Sequence, residues 1–120
     1  MESLIVLLLP ALIQVESSGV DSAVGDNGRA VGCLQLWQIY VRDVNRIAGT
    51  DYVYDDRYDR KKSIEMVRIY LRHYGSEKRL GHKPTLQDLA RIHNGGPNGY
   101  KNPKTLKYWR KIEQAFKDMK

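Results

Sequence analysis

The sequence has 120 residues, of which 42% are hydrophobic and 28% are charged. These proportions are typical of one globular domain and exclude a disordered or a fibrous chain, so we expect residues 1–120 to form a single domain. Cys33 is the only cysteine, which excludes a disulfide framework and a zinc cage built from cysteines. His73, His82 and His93 stand at no zinc-ligand spacing such as HExxH, so we expect neither a metal site nor a cofactor.

The net charge of +6 is distributed unevenly along the chain. Residues 1–40 contain four acidic residues and one basic residue, residues 41–80 contain seven and ten, and residues 81–120 contain three and nine. A basic C-terminal third favours contact with nucleic acid, anionic lipid or an anionic polymer such as the bacterial cell wall. Charge alone does not choose among these partners.

An apolar run opens the chain and reaches from Leu4 to Ile13 over ten residues. Crossing a bilayer takes about twenty residues, so we expect no transmembrane span. Glu2 is the only charge before the run and no small-residue cleavage site follows it, so there is no convincing signal peptide. We favour a core helix, apolar all round and buried on every side, over a degenerate signal or anchor. Pro10 kinks this helix or marks its first turn, and the helix ends near Gly19.

Apolar residues with a period of 3.6 predict two amphipathic helices in the middle of the chain. The first runs from Leu36 to Ala48 and is stopped by Gly49. The second follows a loop at 51–59 that is dense in Tyr and Asp, and it ends at Gly75. The expected inward residues are Trp37, Tyr40, Val41, Val44, Ile47, Ala48, Ile64, Val67, Leu71 and Tyr74.

Capping residues predict two further helices in the C-terminal third. Thr85 as N-cap with Asp88 three residues later opens one helix, which stops at the Gly-Gly-Pro sequence of residues 95–97. Asn102 followed by Pro103 opens the last helix. The expected inward residues are Leu86, Leu89, Ala90, Leu106, Trp109, Ile112 and Phe116.

The only signal for strands lies around residues 25–31, where Gly-Asp-Asn-Gly is a strong turn sequence. The fold class that we expect is therefore mainly α, with at most a small β-hairpin at that place.

The first candidate for chemistry is Glu16, a carboxyl group in the last turn of the apolar helix. Burial among apolar neighbours and the negative end of the helix dipole both favour its protonated form. A carboxyl that keeps its proton near neutral pH can protonate a leaving-group oxygen as a general acid. Glu16 alone equally fits a surface glutamate at a helix C-terminus, so the flanking sequence has to decide.

Two motifs flank and follow Glu16. The sequences ESSG at 16–19, AVGDNGRAVG at 23–32 and LQL at 34–36 resemble the lytic transglycosylase pattern of the lysozyme-like superfamily. The sequence ARIHNGGPNG at 90–99, followed by the YW pair at 108–109, is similar to the signature of invertebrate-type, destabilase-like lysozymes. Invertebrate-type lysozymes are disulfide-rich, and the single cysteine departs from that pattern.

The resemblance implies a lysozyme-like domain that cleaves the β-1,4 bond between N-acetylmuramic acid and N-acetylglucosamine in peptidoglycan. It assigns Glu16 as the general acid and Asp26 as the nucleophile or electrostatic partner. Asp26 equally fits a residue that only shapes the Asp-Asn-Gly turn, and Asp21 is its nearest rival. The residues expected to bind substrate are Ser17, Gln35, His93, Asn94, Gly95 and Tyr100.

Structural alternatives stay open for several of these residues. Gln35 equally fits a half-buried side chain that satisfies backbone groups, and His93 with Asn94 equally fits a simple helix C-cap. Trp37 is expected in the core rather than as a platform for sugars. Cys33 is expected to be a small buried residue, because nothing pairs it with an activating histidine.

The partner implied by the resemblance is the peptidoglycan glycan strand, bound by a monomer and with no specific nucleic acid. Hydrolysis is favoured over the transglycosylase reaction, which gives 1,6-anhydro ends, because Asp26 follows Glu16 by ten residues on a turn. A catalytically silent peptidoglycan-binding or virion structural protein is the other alternative, which retention of Glu16 disfavours. A DNA-binding helical domain would leave the ESSG segment without a purpose. The localisation is unknown, and a phage or bacterial enzyme acting on the cell wall suits a small cysteine-poor chain.

Overall fold

The computed structural model describes all 120 residues, which divide into two compact units. One unit consists of residues 16–70, and the other combines residues 1–15 with residues 71–120. The elements in chain order are helix α1 (Glu2–Ser17), strands β1 (Val24–Gly25) and β2 (Ala30–Val31), and helices α2 (Gln38–Ala48), α3 (Arg60–Tyr74), α4 (Glu77–Leu80), α5 (Leu86–Gly95) and α6 (Leu106–Asp118). The expected mainly α fold with one small hairpin is confirmed.

Helix α1 differs from the expectation in its burial. Its inward face carries Ile5, Leu8, Leu9, Ala11 and Leu12, whereas Val6 and Leu7 on the other face are 56% and 60% exposed. The prediction of a helix buried on every side is therefore wrong, because the 3.6-residue period turns one row of side chains to solvent whatever their polarity. Pro10 lies inside the helix and is exposed. No helix of the chain is both long enough and apolar enough to cross a membrane.

The hairpin of residues 24–31 is the only sheet in the molecule. It pairs Val24 with Val31 and Gly25 with Ala30 in antiparallel register. The Asp-Asn-Gly turn between the strands lies in the left-handed region, with φ values of 50°, 58° and 89° for residues 26–28. Asn and Gly adopt this conformation at low cost, so the turn sequence itself fixes the hairpin.

The core of residues 16–70 forms between α2 and α3. The rings of Tyr40 and Tyr70 are stacked with their centroids 3.8 Å apart. The other buried apolar residues of the two helices within this unit are Val41, Val44, Met66 and Val67. Trp37, expected in this core, is 40% exposed and is the N-cap residue of α2.

Three more of the residues expected to point inward lie outside this core. Ile47 and Ile64 are half-buried and Ala48 is exposed. The buried face of α3 therefore includes Met66 and Tyr70. Packing within the whole unit decides which face is buried, and the periodicity of one helix does not predict it.

The C-terminal helices begin as their capping residues predict. The Thr85 hydroxyl accepts a hydrogen bond from the Asp88 amide at 3.1 Å, and the Asp88 carboxylate accepts one from the Thr85 amide at 3.0 Å. Asn102 and Pro103 open a 3₁₀ turn that continues into α6. The buried residues of α6 are Tyr108, Ile112 and Ala115, whereas Leu106 is 37% exposed and Trp109 and Phe116 are half-buried. The inward stripe of α6 is therefore shifted from the expected one.

Candidate functional site

Glu16 lies in the last turn of α1 and is half-buried. Burial raises the pKa of the Tyr40 phenol well above its usual range, and the nearby Tyr70, Glu16 and Asp43 raise it further. Glu16 is thus close enough to the Tyr40 phenol for its charge to raise the pKa of that phenol. Because Glu16 is half-buried rather than buried, the residue is accessible from solvent.

Ser17 ties the end of α1 to the segment after the hairpin. Its hydroxyl donates a hydrogen bond to the carbonyl oxygen of Cys33 at 2.8 Å and accepts hydrogen bonds from the amides of Gly19 and Val20 at 3.2 and 3.1 Å. A hydroxyl has one hydrogen to donate and two lone pairs. These contacts use them, so Ser17 positions the neighbouring Glu16 by holding the helix end in place.

Asp26 lies at the tip of the hairpin and is exposed. Its carbonyl oxygen accepts hydrogen bonds from the amide and from the Nε of Arg29, at 3.2 and 2.9 Å. Its carboxylate makes neither a hydrogen bond nor an ion pair within the chain. Asp26 thus does shape the turn through its backbone, and its carboxylate is left available to act on a ligand.

The Gln35 side chain is hydrogen-bonded to the backbone on both sides of the hairpin. It has a φ of 53°, and its side-chain nitrogen donates hydrogen bonds to the carbonyl oxygens of Ala23 at 3.2 Å and Gly32 at 3.0 Å. A Cβ atom at Gly25 would lie 2.5 Å from the side-chain oxygen of Gln35. The structure therefore supports the alternative in which Gln35 satisfies backbone groups, and its side chain packs closely against Gly25 of the hairpin.

Arg57 is a buried guanidinium that no motif or periodicity in the sequence singles out. It is 6% exposed, and its hydrogen bonds go to the carbonyl oxygens of Tyr54 at 2.8 Å, Leu36 at 3.0 Å and Arg29 at 3.3 Å. Its own carbonyl oxygen accepts a hydrogen bond from the Ser63 hydroxyl at 2.9 Å. Arg57 thus connects the start of α3 to both sides of the hairpin region.

Asp21, the rival of Asp26, is held by other groups. Its carboxylate accepts a hydrogen bond from Arg60 Nε at 2.8 Å in an ion pair. It also lies near the thiol of Cys33, a fully buried residue. Burial is the main cause that raises the pKa of Cys33, Asp21 raises it as well, and Arg60 lowers it. A carboxylate engaged in these contacts serves the local structure, and Asp26 remains the better candidate.

The remaining candidates lie on the C-terminal part of the chain, among residues 71–120. His93 is 8% exposed, whereas Asn94 is exposed at the end of α5. A Cβ atom at Gly95 would lie 2.5 Å from Cγ2 of Thr105, so close packing explains this glycine. The half-buried ring of Tyr100 has the Arg79 guanidinium 5.6 Å and the Lys101 ammonium 5.8 Å from its centroid.

The turn that follows α5 is held by a second buried arginine. Arg91 donates hydrogen bonds to the Thr105 hydroxyl at 2.7 Å and to the Asn102 carbonyl at 3.1 Å. The Thr105 hydroxyl in turn donates toward the carbonyl oxygens of Gly99 and Asn102, at 2.7 and 2.8 Å. These contacts join α5 to the residues that follow the HNGGP motif, and Asn94 within the motif is exposed.

Comparison with known proteins places this chain in a family. The model of the Destabilase family matches residues 8–115. A lysozyme of Magallana gigas is 47% identical over 49 residues, which are 40% of this chain and 34% of that protein. A lysozyme of Ostrea edulis is 30% identical over 89 residues, which are 72% of this chain and 62% of that protein. The chain thus matches less than two thirds of the length of these two relatives.

A solved structure has the same fold. A chain in the crystal structure of Aeromonas hydrophila PliI in complex with Meretrix lusoria lysozyme is similar with a TM-score of 0.74 and 25% sequence identity. The similarity covers 89% of this chain and 86% of that one. With a family model that matches nearly all of its length, the chain belongs to the Destabilase family.

Proposed function

We propose that the protein is a muramidase that hydrolyses the β-1,4 bond between N-acetylmuramic acid and N-acetylglucosamine in peptidoglycan. The observation that carries this proposal is that the half-buried Glu16 and the free carboxylate of Asp26 belong to the same compact unit, residues 16–70. The Destabilase membership and the lysozyme names of the relatives support the same reaction.

In the proposed reaction Glu16 gives its proton to the glycosidic oxygen as the bond from this oxygen to the anomeric carbon breaks. Asp26 acts at the other side of the sugar. It attacks the anomeric carbon if the two carboxyl groups approach to about 5–5.5 Å in the complex, or activates a water if they stay about 6.5–9.5 Å apart. If Asp26 has attacked, Glu16 takes a proton from a water whose oxygen displaces Asp26 from the anomeric carbon. If Asp26 has activated the water, the proton of that water passes through Asp26 to solvent, and solvent returns a proton to Glu16. In both cases the product carries a reducing muramic acid end.

The positive charge of the protein supports an anionic polymer as substrate. The chain carries a net charge of +6, and attraction to an anionic wall raises the rate of encounter. Salt screens this attraction, so lysis should slow as the ionic strength rises.

The experiment is lysis of purified cell walls by the wild type and by Glu16→Gln. The amide is nearly isosteric but has no proton to give, so we expect lysis to fall by at least about a hundredfold while the melting temperature is kept. Glu113→Gln on α6, where the side chain is exposed, is the matched control and should lyse walls normally. A folded Glu16→Gln variant that lyses walls at the normal rate would overturn the assignment.

Mass analysis of the released fragments distinguishes the two reactions that the motifs suggest. Hydrolysis adds one water to each cleaved bond and leaves reducing muramic acid. A lytic transglycosylase adds no water, because the 6-hydroxyl of muramic acid attacks instead, and leaves 1,6-anhydro ends. Chiefly anhydro products would replace hydrolysis by transglycosylation and would remove the need for Asp26.

A further inference from the structure

Trp37 and Arg29 form an exposed pair beside the hairpin. Trp37 is 40% exposed, and the guanidinium carbon of Arg29 lies over its ring, 4.9 Å from the centroid. The exposed part of the ring offers an apolar face to a ligand. A guanidinium against such a ring gains a cation–π interaction and keeps its hydrogen-bond donors.

The donors of Arg29 are mostly unused. Only its Nε donates a hydrogen bond, to the carbonyl oxygen of Asp26 at 2.9 Å. Its two terminal nitrogens make no hydrogen bond or ion pair within the chain, and the residue is exposed. The planar guanidinium is therefore free to bind a carboxylate with two parallel hydrogen bonds.

Both members of the pair are positioned by one buried group. One terminal nitrogen of Arg57 donates hydrogen bonds to the carbonyl oxygen of Arg29 at 3.3 Å and to that of Leu36, the residue before Trp37, at 3.0 Å. Leu36 is also joined to Val31 of the hairpin by backbone hydrogen bonds of 3.0 and 3.1 Å. The backbone under the pair is thus fixed before any ligand arrives, which lowers the entropy lost on binding.

The start of α2 adds to the local preference for negative charge. Trp37 is the N-cap residue of this helix, and no side chain caps the first turn. Helix N-termini carry partial positive charge, so this end favours an anionic group near Arg29 and Trp37.

We propose that Arg29 and Trp37 form a subsite for peptide-bearing sugar units of the glycan strand. The exposed part of the Trp37 ring packs against the apolar face of a sugar, and Arg29 binds a carboxylate of the attached peptide. This inference rests on the proposed muramidase function, and the subsite adjoins the proposed second carboxylate because Arg29 is bonded to the backbone of Asp26.

Binding can be measured without turnover in a chain that also carries Glu16→Gln and Trp109→Phe, which leaves Trp37 as the only tryptophan. The probes are a disaccharide tetrapeptide prepared from peptidoglycan and uncharged chitotetraose. We expect both probes to change the Trp37 fluorescence. Arg29→Gln should lower the affinity for the peptide-bearing probe by about tenfold and the affinity for chitotetraose by less than about twofold, because only the peptide-bearing probe offers a carboxylate.

Two variants separate the subsite from general effects. Trp37→Ala should lower the affinity for both probes. This affinity is measured by calorimetry, because the variant lacks the fluorophore. Arg42→Gln removes the same charge from an exposed position of α2 and should change neither affinity. Equal losses in Arg29→Gln and Arg42→Gln, or unchanged fluorescence with both probes, would overturn the subsite.

The outcome for the subsite is independent of the outcome for the reaction. Normal affinities and cell-wall KM values in Arg29→Gln and Trp37→Ala, together with an inactive Glu16→Gln, would overturn the subsite and leave the muramidase proposal in place. A wild type without lytic activity would remove the proposed function. The fluorescence titration would then still support or overturn Arg29 and Trp37 as a site for peptide-bearing sugars.

Discussion

The guanidinium of Arg57 lies 3.0 Å from the carbonyl oxygen of Leu36, 21 positions earlier in the chain, and both groups are buried. All hydrogen bonds of this guanidinium go to backbone carbonyl groups, and its charge is further stabilised by the Tyr54 ring, 5.6 Å from the guanidinium carbon. A glycine is needed opposite, because a Cβ atom at Gly32 would overlap the carbonyl oxygen of Arg57. The buried Arg57 side chain therefore supports the hairpin that carries Asp26.

Replacement of this side chain should loosen the hairpin. Arg57→Ala leaves buried carbonyl groups without donors, and we expect a loss of about 2–4 kcal/mol in the free energy of unfolding, measured with urea. Arg57→Lys keeps the charge but loses the planar fork, so it should recover only part of the loss. The exposed Arg42→Ala is the control and should change the stability by less than about 0.5 kcal/mol. Equal stabilities of the Arg57 and Arg42 variants would show that the buried contacts contribute nothing.

Asp26→Asn tests the second carboxylate. Asn tolerates the φ of 50° at this position, so the hairpin should keep its conformation and the melting temperature should not fall. Loss of the negative charge should reduce cell-wall lysis by about a hundredfold or more if Asp26 attacks the sugar or activates water. Asp51→Asn, at an exposed position of the same unit, should remain active. An Asp26→Asn variant with the normal rate would leave Asp26 with its role in the turn alone.

The thiol of Cys33 should be inert in the folded protein. It is fully buried, and burial raises the pKa of this thiol, so the reactive thiolate is a smaller fraction at any given pH than in an exposed cysteine. At pH 8 we expect a chromogenic disulfide reagent to react at least about tenfold more slowly with the native chain than with the chain in urea. Glutathione serves as the reference thiol. Fast stoichiometric labelling of the native protein would contradict the buried position.

The turn after α5 requires glycine at residue 96. Gly96 has a φ of 86° and a ψ of −171°, a combination that side chains with a Cβ avoid. Gly96→Val should therefore lower the stability by about 1–3 kcal/mol and raise the KM for cell walls, because the neighbouring Asn94 would be displaced. Lys104→Val, at an exposed site nearby, is the control. An unchanged melting temperature and KM would make this turn an ordinary connection.

Local signals in the sequence were sufficient for helix ends and for the hairpin. The Thr85 and Asn102 caps and the left-handed Gly49 depend on residues within a few positions, so they could be predicted. The burial of Arg57 depends on Leu36 and Arg29, which lie 21 and 28 positions away, so no periodicity of a single helix could predict it.

The residues of the candidate site also fall into those that the sequence predicts and those that depend on the fold. Glu16 and Asp26 were recognised from motifs, and the structure places both in the same compact unit. The hydrogen bonds of Ser17 and Gln35 are made to the backbone of residues that only the fold brings near. The substrate roles of Ser17, Gln35, His93, Asn94, Gly95 and Tyr100 stay predictions.

The hydrogen bonds of the buried Arg57 also determine how the protein responds to reductants and denaturants. In a chain with a single cysteine, the segments around the hairpin are joined by contacts of the Arg57 guanidinium with carbonyl groups and by no disulfide. Reductants have no bond to break there, so these 120 residues should keep their melting temperature in dithiothreitol. Denaturants that compete for carbonyl groups, guanidinium ions above all, should instead be unusually effective.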